Sequence, residues 1–358
     1  MSFHNRTVFS LGERVSELFE LRCFADYHWP SVRDFLAKRT LDKLEQVGEL
    51  TYARNIPEGV LVAEYVPQEN KFLIKLLAEK PITAIEQFTH YRENMVRVLG
   101  CLTPWSEVNS ALTAAGVPAQ RIHHGLSIAG VWSPFEALLR AICGQQVSVG
   151  AAVTQANRVV ELALQTQGTA AQPQITVQTQ TKIGAQNQTT LVADELISTT
   201  AGLPSVDVFV STDFSSLKMP ERRKQTLIDS IAWWQQHMPE STLSLQTEST
   251  SELNAISDSN STIESPHALS SATLHVGSQS EALESLLAVK GIGPWTINYI
   301  RLRGFAETDV MLDNDLIVRQ QLTKHDLDTN AAKPWRSYLC LLLWEWSTLE
   351  KLQKKDSK

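Results

Sequence analysis

The feature that most constrains the fold is a short turn, Gly291-Ile292-Gly293-Pro294, between two helical patterns. The two glycines permit positive φ angles or a close approach of another chain, and Pro294 begins the next helix at a position that needs no N–H donor. The flanking residues are therefore predicted to form a helical hairpin. Backbone N–H groups at the start of the second helix can bind a phosphate without a basic side chain. An ordinary corner between two helices fits the same turn chemistry.

Charge does not decide whether the partner is a nucleic acid. The net charge of −7 argues against one, because phosphate contacts usually require a basic surplus. Five acids without any Lys or Arg, however, lie between residues 240 and 280 and account for most of this charge, so the rest of the chain is close to neutral. A DNA site would depend on local geometry rather than on a broad positive field.

The composition is that of a globular protein. Hydrophobic residues make up 43% of the 358 residues. No apolar run approaches the roughly 20 residues of a membrane helix, and the first residues lack an apolar signal-peptide core. We therefore expect a cytoplasmic protein without membrane contact. The four cysteines are widely spaced, which predicts reduced and mostly buried thiols rather than a metal or iron–sulfur site.

The periodicity of the first hundred residues predicts a small α+β domain. Three β-rich runs, Leu50 to Ile56, Gly59 to Val66 and Lys71 to Leu77, are separated by turn residues and predict an antiparallel meander. A helix-like segment from Ser31 to Leu41 precedes them.

From Val108 onward the patterns are helical. Ser133, Pro134 and Glu136 form a capping-box pattern at the start of one helix. Further helices are predicted at Val149 to Leu164, Pro220 to Gln236, Ser280 to Ala288, Trp295 to Arg303, Asp315 to Leu322 and Pro334 to Trp346. The fold class is thus α+β, with an N-terminal antiparallel sheet domain over residues 1–106 and an all-α region over 107–358.

Two polar stretches interrupt the helical region. Fifteen of the 26 residues from Gln165 to Thr190 are Gln or Thr, and twelve of the 41 from Glu240 to Ser280 are Ser. Polar tracts cannot bury enough apolar area to order themselves. We therefore expect flexible insertions at about 165–200 and 240–280, although a partner-binding role is an alternative.

Aromatic and acidic residues follow the turn. Trp295 and Tyr299 are four apart on one helix face, and Trp344 on the last predicted helix can contribute a third ring. Core packing is the more common role of any single ring at this spacing, and a stacking pocket is the alternative. In the run Asp313-Asn314-Asp315, either of the first two residues can cap a helix, which places Asp315 in its first turn, where the dipole favours an ionised carboxylate. The residues alone do not choose among the three.

These features together resemble the helix-hairpin-helix glycosylase superfamily, and within it the AlkA-type 3-methyladenine DNA glycosylases. The signature is Leu287 to Thr296 followed about twenty residues later by Asp315. The likeness runs from about Asp34 to Trp346 and is broken by the two polar stretches. Other segments in the family's order are Asp34 to Arg39, Tyr52 to Arg54, Phe135-Glu136 with Arg140 to Ile142, Gly144 to Ser148, and Lys333 to Tyr338.

The resemblance implies a role for individual residues. Asp315 would be the catalytic carboxylate. The aromatic base pocket would be lined by Trp295, Tyr299, Trp344 and Phe35. A DNA phosphate would be bound by the backbone N–H groups of Gly291, Gly293 and Thr296. A structural monovalent cation would be held by the backbone carbonyls of Leu287, Val289 and Ile292. Gln146 would enter the gap left by a flipped nucleotide, where some relatives have a leucine. Lys290 replaces a proline common in this hairpin, which should leave the backbone site intact.

The implied activity is that of a monofunctional DNA glycosylase in base excision repair. Such an enzyme flips an alkylated purine out of double-stranded DNA and hydrolyses the N-glycosidic bond, leaving an abasic site. A cationic alkylated purine is already a good leaving group, so one carboxylate can suffice. Lyase-competent relatives carry a lysine nucleophile where this chain has Trp295, so strand cleavage is not expected. The resemblance implies no catalytic cofactor, no iron–sulfur cluster, and a monomer associated with the bacterial nucleoid through DNA.

Two alternatives fit the same residues. A catalytically silent helix-hairpin-helix protein would recognise distorted DNA, but it would need neither Asp315 nor an aromatic pocket. A second alternative is the same superfamily with a different lesion range, such as oxidised or deaminated bases.

Overall fold

The computed structural model describes residues 14–78, 82, 84–123, 125–170, 202–238 and 282–356. Most of the two predicted insertions lies outside these residues, and so do the N-terminal residues that bear on a signal peptide. Within the described residues, no helix is both long enough and apolar enough to cross a membrane.

The N-terminal part is built on one antiparallel sheet of five strands in the order β1-β5-β4-β3-β2. The strands are β1 (Arg14–Arg22), β2 (Glu45–Val47), β3 (Thr51–Ile56), β4 (Gly59–Val66) and β5 (Lys71–Ala78). The predicted meander is therefore confirmed as β3, β4 and β5. The sequence analysis missed two strands. In β1 a register shift between Glu17 and Phe19 breaks the alternation of polar and apolar residues, and β2 is too short to show an alternation.

Helix α1 (Trp29–Ala37) packs against this sheet. It starts two residues earlier than predicted, with Pro30 in its first turn. The indole of Trp29 is buried, contacts the ring of Phe72 edge-on at 5.3 Å, and donates to the carbonyl of Glu49 at 2.7 Å. These contacts fix the helix that carries Phe35.

The remaining described elements are helical, so the chain is mixed α+β as predicted. The helices are α2 (Ile85–Leu99), α3 (Trp105–Ala114), α4 (Pro134–Cys143), α5 (Val149–Ala170), α6 (Val206–Val210), α7 (Glu221–His237), α8 (Pro294–Gly304), α9 (Leu316–His325) and α10 (Arg336–Asp356). Helix α2 was missed because its buried face includes Asn94 and Tyr91, which weakens the apolar pattern. The helix predicted at Ser280 to Ala288 ends in a 3-10 turn, Ser285–Ala288.

Helix α4 lies at the centre of the helical region and is almost wholly buried. Helix α8 crosses it closely, since a Cβ added at Gly304 would lie 2.8 Å from Cα of Pro134. The backbone of Val131 also donates to the carbonyl of Arg303 at 2.9 Å. The helix that follows the hairpin is thus anchored to the core.

A buried ion cluster, formed by Arg54, Glu45, Glu136 and Arg140, joins the sheet to α4. Arg54 contacts Glu45 at 3.0 Å and Glu136 at 2.7 Å, and Arg140 contacts Glu45 at 2.9 Å and Glu136 at 2.7 Å. Burial opposes ionisation of Glu136, but the charges of Arg54 and Arg140 outweigh it and lower its pKa.

The predicted capping box at α4 is half correct. The hydroxyl of Ser133 accepts from the backbone N–H of Glu136 at 3.2 Å, as a cap should. The Glu136 carboxylate turns inward to the arginines of the ion cluster instead of back to Ser133.

Candidate active site

The hairpin turn is held from two sides. Gly291 has φ +97, and a Cβ there would lie 2.3 Å from Oγ1 of Thr226 on α7. The same hydroxyl donates to the carbonyl of Lys290 at 2.9 Å, and the side-chain amide of Gln145 donates to the carbonyl of Gly291 at 3.0 Å. Glycine is therefore required at 291 both by the backbone conformation and by the space available.

The start of α8 faces open space on one side. A Cβ added at Gly293 would meet no atom within 4 Å, so another chain can approach there. The backbone N–H of Thr296, one of the predicted phosphate donors, already donates to the carbonyl of Gly293 at 2.9 Å, and its side chain is buried. The open part of the turn is the glycine segment itself.

Gln146 lies in the turn between α4 and α5, next to the residue that contacts the hairpin. It is exposed and has φ +55, a left-handed conformation that is uncommon for a residue with a Cβ. Because Gln145 binds Gly291, the structure brings the turn that carries Gln146 to the hairpin.

The predicted cation ligands lie at the first half of the hairpin, Leu287 in the 3-10 turn Ser285–Ala288 and Val289 and Ile292 after it. The carbonyls of Lys290 and Gly291 accept hydrogen bonds from the side chains of Thr226 and Gln145. The carbonyl of Val289 accepts the N–H of Ile292 at 3.0 Å. Carbonyl oxygens are hard, neutral ligands that suit an alkali cation. A second lone pair on the Val289 carbonyl is compatible with that role.

Asp315 is the N-cap of α9, and the predicted cap at Asp313 or Asn314 is wrong. Its Oδ1 atom accepts the backbone N–H groups of Ile317 at 2.9 Å and Val318 at 3.0 Å. The reason is a turn in which the N–H of Asp315 donates to the carbonyl of Leu312, so that the helix begins after Asp315 rather than before it. The helix N-terminus favours a negative charge at this position.

Two tryptophans complete the environment of this carboxylate. Nε1 of Trp295 donates to Oδ2 at 3.0 Å, and Nε1 of Trp344 donates to Oδ1 at 3.1 Å. All four described donors to Asp315 are uncharged N–H groups. The two carboxylate oxygens together have enough lone pairs to accept all four.

The rings form one wall beside Asp315. Trp295 and Tyr299 are stacked, with centroids 5.3 Å apart and an interplanar angle of 24°. Asp315 and these two rings, together with Trp344, are only partly buried. The structure therefore brings together the predicted catalytic acid and three of the four predicted pocket residues at a surface that a base can reach.

The fourth predicted pocket residue, Phe35, has a different environment. The guanidinium carbon of Arg39 lies 4.0 Å from its ring centroid and that of Arg303 lies 4.2 Å away. Sequence reasoning gave neither arginine a role, although Arg39 lies in one of the family-like segments. A cation four residues after an aromatic on a helix was the available signal for Arg39; no local pattern marks Arg303.

No family model matches the chain. It is 26% identical over 339 residues to DNA-3-methyladenine glycosylase 2 of Escherichia coli, covering 91% of this chain and 96% of that protein. Its fold is similar to that of a 3-methyladenine DNA glycosylase from Archaeoglobus fulgidus, with a TM-score of 0.55, 14% identity, and 91% and 96% of the two chains covered. The 8-oxoguanine glycosylase/lyase of Clostridium acetobutylicum in its apo form has a TM-score of 0.50 at 13% identity, with 94% and 98% covered. The predicted resemblance to the AlkA-type helix-hairpin-helix glycosylases is thus confirmed.

Proposed function

We propose that this chain is a monofunctional DNA glycosylase that removes alkylated purines of the 3-methyladenine type from double-stranded DNA in base excision repair. The observation that carries the proposal is the Asp315 carboxylate, held by two indole N–H groups beside the Trp295 and Tyr299 rings. A protein that only binds DNA needs no such acid. The E. coli relative bears the name of this activity.

Base flipping precedes the reaction because the glycosidic bond of a stacked nucleotide is out of reach. The exposed glycine segment of the hairpin would bind the DNA backbone, and Gln146 would fill the space that the flipped nucleotide leaves. The carbonyls of Leu287, Val289 and Ile292 would hold a monovalent cation, which stabilises the turn and takes no part in the chemistry. The aromatic wall would receive the flipped base.

Hydrolysis then requires one negative charge on the protein beside the sugar. As the C–N bond breaks, its electron pair leaves with the base, so a cationic purine departs neutral and the sugar gains oxocarbenium character. Asp315 would stabilise that positive charge and direct a water molecule to the anomeric carbon. The attacking water loses one proton as the new C–O bond forms. The four fixed donors hold the carboxylate without neutralising it.

Strand cleavage is not part of the proposal. A lyase needs an amine that forms a Schiff base with the sugar, and the corresponding position here is Trp295, whose indole N–H is engaged by Asp315. The product is therefore an intact strand with an abasic site.

The proposed organisation follows the same resemblance. Residues 1–106 would form the AlkA-type α+β domain and residues 107–358 the glycosylase region, in a cytoplasmic monomer without a catalytic cofactor or an iron–sulfur cluster. Within the described residues, no group of three His, Cys, Asp or Glu side chains is placed to hold a metal ion.

The test is incubation with methylated duplex DNA, followed by chromatography of the freed bases. The wild-type chain should release methylated purines and leave the strand uncut. Asp315→Asn should lower release by at least about a hundredfold while still binding the duplex, because the charge at the reacting sugar is lost. Asp313→Asn, which changes an exposed acid two residues away, is the matched control. Full activity of the Asp315 variant would refute the proposal.

A further inference from the structure

Two cations contact the ring of Phe35. The guanidinium carbon of Arg39 lies 4.0 Å from the ring centroid and that of Arg303 lies 4.2 Å from it, which is the distance of a cation–π contact. The ring of Phe35 is therefore already engaged by two charged side chains. We call Arg39 and Arg303 the arginine pair.

Arg303 is continuous with the candidate active site. It lies on α8 with Trp295 and Tyr299, and its guanidinium carbon is 5.8 Å from the ring centroid of Trp344, the residue that donates to Asp315. Its side chain is buried, with 4% of the residue exposed, and Nη1 donates to the carbonyl of Ala129 at 2.7 Å. A base received by the aromatic wall would lie next to this charge.

The charge of the arginine pair is not cancelled by the described part of the protein. Neither arginine forms an ion pair there, and Nε of Arg303 is buried without a hydrogen-bond partner. Burial lowers the pKa of Arg303 to about 9, with a smaller opposite effect of Tyr299 and a further lowering by Arg39, so the group stays charged at neutral pH. An uncompensated buried cation is costly, which makes a functional use of it worth testing.

Arg39 is held in place by the rest of the fold. It donates through Nη1 to the carbonyl of Phe35 at 3.2 Å, and its own carbonyl accepts from Arg140 of the ion cluster. The second charge is therefore fixed relative to α4 and the sheet rather than free to move into solvent.

The chemistry of the leaving base gives these charges a use. When the C–N bond breaks, its electron pair goes to the base: a cationic purine leaves neutral, whereas a neutral purine leaves as an anion that later takes a proton from water. Asp315 assists the sugar in both cases. Only the anionic leaving group gains from a nearby cation.

We propose that the arginine pair, chiefly Arg303, determines which bases are released, by stabilising the anion that forms when a neutral purine leaves. It gives no such help to a cationic purine, which depends on its own weak glycosidic bond. This inference rests on the proposed glycosylase function and names the residue that sets its relative rates on charged and uncharged purines. Arg303 acts here as a specificity-determining residue.

The test compares two purines that share a 6-oxo group and differ in charge. Duplexes containing one 7-methylguanine, which is cationic, or one hypoxanthine, which is neutral, are incubated with excess enzyme, and single-turnover rate constants are measured. The variants are Arg303→Met, Arg303→Lys and Arg39→Met, with Arg158→Met as the control. Arg158 forms a half-exposed pair with Glu161 on α5 and has no contact with the site. The ratio of the two rate constants does not depend on the fraction of folded enzyme.

Arg303→Met should lower hypoxanthine release about tenfold relative to 7-methylguanine release, and Arg39→Met should shift the ratio in the same direction by less. Arg303→Lys supplies an ammonium that cannot stack on Phe35 as the planar guanidinium does, so its ratio should lie between those of wild type and Arg303→Met. Arg158→Met should stay within about twofold of wild type. If Arg303→Met does not fold, the ratios of Arg39→Met and Arg303→Lys are compared with that of wild type instead. Equal losses for both bases, a larger loss for the cationic base, or a wild-type enzyme that releases only the cationic base would overturn the inference. A wild-type enzyme that releases neither base would instead refute the proposed function.

Discussion

Asp315 and Glu136 are both carboxylates with several donors, but the donors differ in charge. Asp315 accepts from two indoles and two backbone amides, whereas Glu136 is held by Arg54 and Arg140. Neutral dipoles fix a carboxylate and leave its charge free to act on a positive sugar. Arginines neutralise the charge of a carboxylate. Such a carboxylate can join two parts of the fold, but it cannot stabilise a positive charge on a substrate. Under the proposed function, the same functional group acts in catalysis in one region and holds the fold together in the other.

The largest expected difference is in stability. Glu136→Gln removes a charge that faces the fully buried Arg54 and should destabilise the protein by about 3 kcal/mol, since a buried cation loses a partner. Denaturant unfolding measures this loss. Glu161→Gln, which breaks an exposed pair with Arg158, should change the unfolding free energy by less than about 1 kcal/mol. Equal losses in the two variants would show that the ion cluster does not join the regions.

Acid should weaken the ion cluster through Glu136. The pKa of Glu136 is lowered in the folded protein, so its stabilisation is present above the unfolded value of about 4.3 and is lost as the pH falls through the folded pKa. The wild type should therefore lose more stability than Glu136→Gln below about pH 4. Unfolding curves of both proteins across this range provide the measurement. Parallel pH profiles would mean that Glu136 is not the group that titrates.

The sequence predicted the parts of the site that lie close together along the chain. Gly291, Trp295 and Tyr299 belong to one short segment whose turn and helix spacing define their relation. The identity of the α9 cap depended on a backbone hydrogen bond to Leu312, which no residue pattern reveals. For that reason Asp315 was placed one or two residues too far into the helix.

The contact between Arg303 and Phe35 could not be predicted because it joins distant segments. Arg303 and Phe35 are separated by most of the chain and meet only after α1 packs on the sheet and α8 packs on α4. The ion cluster likewise joins distant segments, β3 and α4. Its arginines, Arg54 and Arg140, lie in segments that resemble the family, but the resemblance did not show that they meet. Local periodicity predicted the meander and most helices, since those depend on neighbouring residues.

The indole donors should matter for activity more than for folding. Trp344→Phe keeps a ring but removes one N–H donor to Asp315, so the carboxylate gains freedom and base release should fall about tenfold. Trp346→Phe is the matched control on the same helix, because its N–H donates to Arg121 and not to the site. That variant should lose stability and keep its rate of base release. An unchanged rate for Trp344→Phe would mean that the other three donors suffice to position the acid.

The smallest expected effect concerns the helix cap, where the two functions of Asp315 can be separated. Asp315→Asn retains a side-chain oxygen for the N–H groups of Ile317 and Val318, and asparagine caps helices about as well as aspartate does. Asp315→Ala removes that oxygen and should destabilise the protein by about 1 kcal/mol relative to Asp315→Asn, while base release is impaired in both variants. Thermal unfolding of the two variants gives this difference. If the alanine variant is as stable as the asparagine variant, the backbone contacts of Asp315 contribute little, and its position depends on the indoles alone.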